Sequence, residues 1–230
     1  MNRYSIFLSV VAAIGGFLFG YDTAVISGTI SQVSAQFDLD SIQTGWYVGC
    51  ALIGSIIGVS GAGILSDYLG RKLTMLVSAI LFFVSASGCA ITSDFTGLVL
   101  YRMIGGMGIG VASIVSPIYI SEISVAKYRG SMVSLYQLAI TVGFLAAYLV
   151  NFLLSGLSVE RIFSNPSLFK IFNAEVWRAM LGMETMPALM FLLMLFFVPE
   201  SPRWLIMKNK QSAGKNILFR ICKNEKEVSN

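Results

Sequence analysis

Apolar residues fall into six long runs along this chain, separated by short polar or charged segments. A helix that crosses a lipid bilayer needs roughly 20 predominantly apolar residues, and each run reaches that length. The pattern predicts spans near Ile6–Gly28, Gln43–Leu65, Leu73–Thr92, Phe95–Ile120, Gly130–Leu154 and Trp177–Val198. A soluble protein could not bury six such helices, because too little polar surface would remain to face water.

The composition agrees with a membrane protein. Of the 230 residues, 56% are apolar and only 12% are charged, whereas a soluble domain carries about 25% charged residues. The first apolar run is too long for the core of a secretory signal, and no small-x-small cleavage pattern follows it. We therefore interpret it as the first span of an all-α membrane protein.

Basic residues predict how the chain is oriented. If the N-terminus is cytoplasmic, twelve of the sixteen Lys and Arg residues lie inside, and only Arg161 and Lys170 lie outside. The inner ones are Arg3, Arg71, Lys72, Lys127, Arg129 and the seven between Arg203 and Lys226. The positive-inside rule then places both termini in the cytoplasm. The net charge of +4 follows from this asymmetry, and it indicates no nucleic-acid partner.

The character of the sequence changes after Val198. Pro199 and Pro202 end the sixth span, since proline lacks a backbone donor and disfavours helix before it. The segment Arg203–Arg220 mixes apolar and basic residues, which predicts a short amphipathic helix along the membrane surface. The predicted organisation is therefore a six-helix bundle at 1–198 and a cytoplasmic helix and tail at 199–230.

Three ionisable residues, Asp22, Arg102 and Glu184, fall well inside apolar runs. A charge in the bilayer costs at least a few kcal/mol, so it normally faces a partner or a water-filled cavity. At about 1.5 Å of rise per residue, Asp22 lies about 24 Å from the cytoplasmic boundary, Arg102 about 10 Å and Glu184 about 12 Å below the outer boundary. All three occupy one layer, which favours a pair between Asp22 and Arg102 and makes the three residues candidates for proton coupling.

Spacing alone leaves two interpretations of the Asp22–Arg102 pair open. An opposite charge favours the ionised carboxylate and burial favours the protonated one, so the group could gain and lose a proton as its surroundings change. The other interpretation is a fixed, neutralised pair that joins two helices. Since the chain has no histidine, a proton-coupling role falls on a carboxylate.

The sequence gives no support for enzyme chemistry, a cofactor or a metal site. The three cysteines, Cys50, Cys89 and Cys222, have no metal-ligand spacing and suggest no disulfide framework. No nucleophile–base set is present, and the glycine-rich stretch Gly105–Gly110 lies inside a span rather than at a strand-to-helix turn. Its glycines, with Gly45, Gly49, Gly54 and Gly58 of the second span, are typical of close helix packing.

Several motifs in the sequence resemble those of one family. They are GILSDYLGRK at 63–72, GYDT at 20–23, RMIGGMGIG at 102–110, PIYISE at 117–122 with RG at 129–130, Gln137, and PESPRWL at 199–205. The first resembles the loop signature of the major facilitator superfamily, and the others resemble its sugar porter family. The likeness runs from the first span to the tail helix and is greatest to bacterial proton-coupled xylose and related sugar symporters.

The resemblance implies a role for each matching position. Asp22 matches the acidic proton-coupling residue of such symporters, and Arg102 matches its arginine partner. Phe19, Thr23 and Gln137 match positions that line the sugar site. The cytoplasmic charge network that closes the inner gate is matched by Asp67, Gly70, Arg71, Glu122, Arg129, Glu200 and Arg203. Exposed ion pairs are weak, about 0–1 kcal/mol each, which suits a gate that must open.

The chain departs from the family in length. Sugar porters have twelve spans in two halves, with the sugar bound between them, whereas this sequence contains one half. The implied function is proton symport of a pentose or hexose across the inner membrane, with a complementary C-terminal half as partner. A truncated fragment that does not transport and a facilitative carrier with a structural Asp22 are the alternatives. An enzyme or receptor is a distant possibility.

Overall fold

The fold is an all-helical bundle, seen in a computed structural model that describes residues 3–160 and 170–221. Its long helices are α1 (Arg3–Phe37), α2 (Ser41–Leu69), α3 (Arg71–Ile91), α4 (Phe95–Ile123) and α5 (Arg129–Glu160). The shorter helices are α6 (Val176–Gly182), α7 (Thr185–Phe196), α8 (Pro202–Met207) and α9 (Gln211–Ile221). A 3₁₀ turn at Ala126–Tyr128 and a π turn at Lys170–Ala174 precede α5 and α6 respectively. Predictions for Arg161, Cys222 and the end of the tail fall outside the described residues.

Six membrane-length segments are present within the described residues, as the hydrophobic pattern predicts. Of the residues in the apolar stretch of each span, 61% are buried in α1 and in α4, whereas only 28% are buried in α2 and in the fifth span. The central helices are therefore α1 and α4. Large apolar side chains of α2 and α5, such as Leu52 and Phe152, are exposed on the outside of this half.

Polar side chains cap the starts of two long helices, α2 and α4. The Asp40 side chain accepts the Gln43 N–H at the start of α2, and the Gln43 side chain accepts the Asp40 N–H in return. Asp94 accepts the Gly97 N–H at the start of α4. Such caps satisfy backbone donors that a helix start leaves free, so each outer turn is fixed within a few residues.

Glycines allow the helix backbones to approach closely at two contacts. A Cβ atom on Gly54 would meet the Met103 carbonyl between α2 and α4, and one on Gly20 would meet the Ile140 carbonyl between α1 and α5. The packing role expected of the second-span glycines holds for Gly54 and Gly58. It does not hold for Gly45 and Gly49, beside which a Cβ atom would meet open space.

The sixth span differs from the continuous helix that its hydrophobicity predicts. It divides into α6 and α7 at Met183 and Glu184. Proline at 187 has no N–H to offer the Met183 carbonyl, which accepts the Met186 N–H instead at 3.3 Å. The helical ladder is therefore interrupted at the residue that carries the buried carboxyl group of this span.

The segment after the sixth span also differs from its prediction, because two helices replace the single one. Ser201 caps α8, with Pro202 in its first turn. The chain then turns at Asn209, whose φ is +60°, and begins α9. Ile217 and Ile221 of α9 pack against the bundle's apolar core, so this segment is anchored under the bundle.

We expect Gly54→Leu to lower the free energy of unfolding by about 1–3 kcal/mol, because the larger side chain forces α2 away from α4. Gly49→Leu on the same helix is the matched control and should cause no loss, since open space surrounds that position. Thermal unfolding of both variants in detergent checks this. Equal stability of the two variants would contradict the packing account.

Candidate functional site

A buried ion pair joins the two central helices. Arg102 of α4 donates from Nη1 to Oδ1 of Asp22 on α1 at 2.5 Å, and both side chains are 2–3% exposed. The second carboxylate oxygen of Asp22 and the Nε of Arg102 have no hydrogen-bond partner among the described residues. The contact expected from their common depth is thus confirmed, and it leaves polar atoms free to change partners.

Glu184 completes this cluster from the sixth span. It is buried at the break between α6 and α7, close enough to Asp22 and Arg102 for its charge to interact with theirs. Two ionised carboxylates cannot hydrogen-bond to each other, because both only accept; one proton shared between them supplies the donor. The three residues predicted to share one layer are therefore neighbours in space.

The cluster holds two carboxyl groups and one guanidinium group in a buried environment. If both carboxyl groups are ionised, a net negative charge remains in an interior that solvates charge poorly, whereas one proton on the pair leaves a single negative charge for Arg102 to balance.

The predicted sugar-site residues lie on adjacent helices. Thr23 and Gln137 are exposed, and Phe19 is half-buried one turn before Thr23. The backbones of α1 and α5 contact at Gly20 and Ile140, three residues from Thr23 and Gln137 respectively. A ring face, a hydroxyl and an amide are thus available on the open side of α1 and α5.

Arg71 lies at the centre of the predicted cytoplasmic gate and contacts two of its carboxylates. Its guanidinium donates to both carboxylate oxygens of Glu122 at 3.1 and 3.2 Å, and to Asp67 at 3.0 Å. It also donates to the Ser66 carbonyl, so the end of α2, the start of α3 and the end of α4 meet at one cation. Planar, bidentate pairing of this kind is the strong form of an arginine–carboxylate contact.

Glu200 fixes the start of α3. Its carboxylate accepts the backbone N–H groups of Arg71 at 2.9 Å and Lys72 at 3.1 Å, where a helix N-terminus favours negative charge. Gly70 joins α2 to α3 with φ +98°, and a Cβ atom there would collide with the Glu200 carboxylate. Both Glu122 and Glu200 thus have partners among the described residues.

Arg129 and Arg203 take looser positions in the gate. Arg129 donates from Nε to the Ser121 carbonyl at 3.0 Å. Arg203 is exposed and lines, with Glu122 and Arg129, a cleft of about 320 Å³.

Three polar contacts at the site escape prediction from the sequence. Ser201 donates to Glu122 at 2.5 Å, Trp204 donates to the Asp67 carbonyl at 3.0 Å, and Tyr21 donates to the Met180 carbonyl at 3.2 Å. Ser201 and Trp204 lie in the PESPRWL motif, so the motif itself was a usable signal. Tyr21 neighbours Asp22, but nothing in the spacing pairs it with the sixth span.

The model of the family described as sugar (and other) transporter matches residues 8–230 of this chain. The chain belongs to this family. It is 40% identical over 222 residues to a glucose transport protein of a Synechocystis strain, and 38% identical over 249 residues to the D-xylose–proton symporter of Escherichia coli K12. These alignments cover 95% and 97% of this chain.

A solved sugar transporter has the same fold. The structure of the major facilitator superfamily proton:xylose symporter XylE bound to 6-bromo-6-deoxy-D-glucose matches with a TM-score of 0.88 and 38% identity. It covers all of this chain and 52% of that protein. The chain also spans about half the length of the two relatives, 46% and 49% respectively. The bundle is therefore the N-terminal half of the major facilitator fold.

We expect Arg102→Met to destabilise the bundle by about 3–5 kcal/mol, because it leaves the Asp22 carboxylate buried without its partner. Adding Asp22→Asn to Arg102→Met should recover most of the loss, since the uncompensated charge is then removed. Denaturant unfolding in detergent measures both. A double variant no more stable than Arg102→Met would contradict a paired cluster.

The two carboxylates on Arg71 should differ in importance according to burial. The Glu122 side chain is 4% exposed and the Asp67 side chain 73% exposed. Glu122→Gln should cost about 2 kcal/mol, whereas Asp67→Asn should cost less than about 1 kcal/mol. Thermal stability of the two variants, compared side by side, tests this order, and the reverse order would contradict it.

Proposed function

We propose that this chain is the N-terminal half of a proton-coupled monosaccharide transporter. The observation that carries the proposal is the buried Asp22–Arg102 pair with Glu184 beside it. A buried ionisable cluster is expensive inside a membrane protein and normally marks an ion or proton pathway. The similarity to sugar–proton symporters supports the same function.

In this proposal the proton binds to the carboxyl pair of Asp22 and Glu184. Its arrival lowers the negative charge facing Arg102, which weakens the attraction between α1 and α4. Its departure restores the charge and tightens the pair. Because α1 also carries Phe19 and Thr23 within one turn of Asp22, a shift of α1 moves the sugar-facing residues with it.

The sugar is held, in this proposal, by Phe19, Thr23 and Gln137. An aromatic face packs against the apolar face of a sugar ring, while the Thr23 hydroxyl and the Gln137 amide offer donors and acceptors to its hydroxyl groups. Pentoses and hexoses both present such groups. A complementary C-terminal half would supply the opposite wall of the site, near the middle of the membrane.

The Arg71 cluster acts as the cytoplasmic gate. It holds the inner ends of α2, α3 and α4 together through contacts to Glu122 and Asp67. Arg203 lines a cleft together with these three residues. The partly solvated members of such a network break at low cost. Opening and closing of this gate would alternate with the outer side of the bundle as the two halves rock.

The proposed location is the inner membrane, with both ends of this half in the cytoplasm. Arg71 and Lys72 lie at one end of the bundle together with the basic α8 and α9 segment, and the positive-inside rule assigns that end to the cytoplasm. The proposed partners are a monosaccharide, a proton, the bilayer and a complementary six-helix half.

The decisive experiment measures accumulation of labelled xylose and glucose in cells that lack their own uptake systems. The chain is expressed alone and together with the C-terminal half of the Escherichia coli D-xylose–proton symporter. We expect uphill accumulation with the wild-type chain, and only equilibration without accumulation with Asp22→Asn, because no proton gradient is then coupled. Asp38→Asn, an exposed carboxylate at the outer end of α1, is the matched control and should accumulate sugar normally.

Each result of this experiment has one meaning. Absence of uptake in every combination would indicate a fragment that does not transport. Accumulation by Asp22→Asn at the wild-type level would remove Asp22 from proton coupling. Equilibration by the wild-type chain, unaffected by Asp22→Asn, would indicate a facilitative carrier.

A further inference from the structure

The outer half of the sixth span, α6, is attached to its neighbours by two consecutive buried residues, Trp177 and Arg178. They are 1% and 3% exposed respectively. Their contacts reach α1 and α3.

Arg178 binds the outer end of α3. Its guanidinium donates to the carbonyls of Ala90, at 3.3 Å, and of Thr92, and it pairs with Glu175. The last carbonyls of a helix carry partial negative charge and have no partner within the helix. A cation at this point satisfies them, so α6 cannot move relative to α3 without exposing these groups to an apolar interior.

Trp177 and Tyr21 attach α6 to α1. The Trp177 indole donates to the Gln36 side chain at 2.6 Å, and its ring lies against Phe37 and under the Arg178 guanidinium. Tyr21, next to Asp22 in the chain, donates to the Met180 carbonyl at 3.2 Å. The contact at Met180 lies four residues before Glu184, near the end of α6.

The break after α6 makes these attachments consequential. A continuous sixth helix would take its position from contacts along its whole length, but the interrupted ladder at Met183 lets α6 and α7 be placed separately. Glu184 follows the last turn of α6, and its backbone N–H donates to the Leu181 carbonyl at 3.3 Å. The attachments of α6 therefore help to set the position of its carboxyl group.

We propose that Arg178 and Trp177 are positioning residues that hold α6 so that Glu184 stays beside Asp22 and Arg102. Arg178 fixes α6 against α3, and Trp177 fixes it against α1. The two carboxyl groups then share a proton because the outer attachments hold them at close range. The inference concerns the proton site of the proposed function, but its test needs no sugar and no second half.

The ionisable groups near Glu184 determine how a titration of its carboxyl group is interpreted. From α1 these are Asp22 and Tyr21, from α3 Cys89, and from α4 Arg102. Asp22 is the only carboxyl group among these described neighbours. A coupling between two carboxyl titrations at this site is therefore a coupling between Asp22 and Glu184.

The experiment follows the carboxyl stretching band in the infrared spectrum of the full chain in lipid vesicles as the pH is varied. Subtracting the spectrum of the double variant Asp22→Asn, Glu184→Gln isolates the pair. Two closely placed carboxyl groups titrate in two well-separated steps. We expect Arg178→Gln to bring the two steps closer by about one pH unit, a tenfold loss of coupling, because Glu184 moves away from Asp22.

Companion variants separate positioning from a general loss of structure. Trp177→Phe keeps an aromatic ring but loses the bond to Gln36, and it should also bring the steps closer. Arg178→Lys keeps the charge over the end of α3, so its effect should be smaller than that of Arg178→Gln. Arg220→Gln, an exposed arginine on α9, is the control and should leave the separation unchanged.

An unchanged separation in both Arg178→Gln and Trp177→Phe, with wild-type helix content, would overturn the proposal. If Arg178→Gln does not fold, Trp177→Phe and Gln36→Leu decide it by the same measure. Failure of the proposed transport function is a different result, since that would appear as absence of sugar accumulation while the infrared coupling remained.

Discussion

The structure depends on the ion pair between Asp22 and Arg102, two charges held at 2.5 Å where almost no solvent reaches. Each charge alone would cost several kcal/mol in this environment, and each is tolerable only beside the other. The register of α1 against α4 is therefore constrained at this point. Gly105 of α4 leaves room at this point, since a side chain there would contact Ser85 of α3 and approach Asp22. The third charge, Glu184, can share this site only if a proton is shared as well.

Two further buried arginines hold the bundle at its two ends. Arg71 joins α2, α3 and α4 at one end of the bundle, and Arg178 joins α6 to α3 at the other end. The Asp67 side chain beside Arg71 is 73% exposed, whereas the Glu175 side chain beside Arg178 is 18% exposed. The proposed proton site lies between the two ends, where small shifts of α1 or α6 change the distance between its carboxyl groups.

Much of this arrangement could be predicted from the sequence. The hydrophobic pattern predicts all six spans, and helical rise alone places Asp22, Arg102 and Glu184 at one depth. The hydrophobic pattern does not predict the break in the sixth span. Pro187 is a signal for it in the sequence, but Pro117 lies inside the continuous α4, so a proline alone does not decide where a span divides. The partners of Glu122 and Glu200 could not be predicted either, since motif positions do not show which of several nearby cations and backbone donors a carboxylate will meet. Burial and backbone direction decide those contacts, and both depend on how the helices pack.

The central claim is that a proton on the carboxyl pair beside Arg102 is coupled to sugar movement. The most direct measurement uses a pH-sensitive dye inside vesicles that contain this chain with a complementary C-terminal half. An imposed inward gradient of xylose or glucose is the only driving force. The account predicts acidification of the vesicle interior with the wild-type chain, and no acidification with Asp22→Asn even while the sugar still equilibrates. Sugar entry without any acidification by the wild-type chain, or equal acidification by Asp22→Asn, would contradict it.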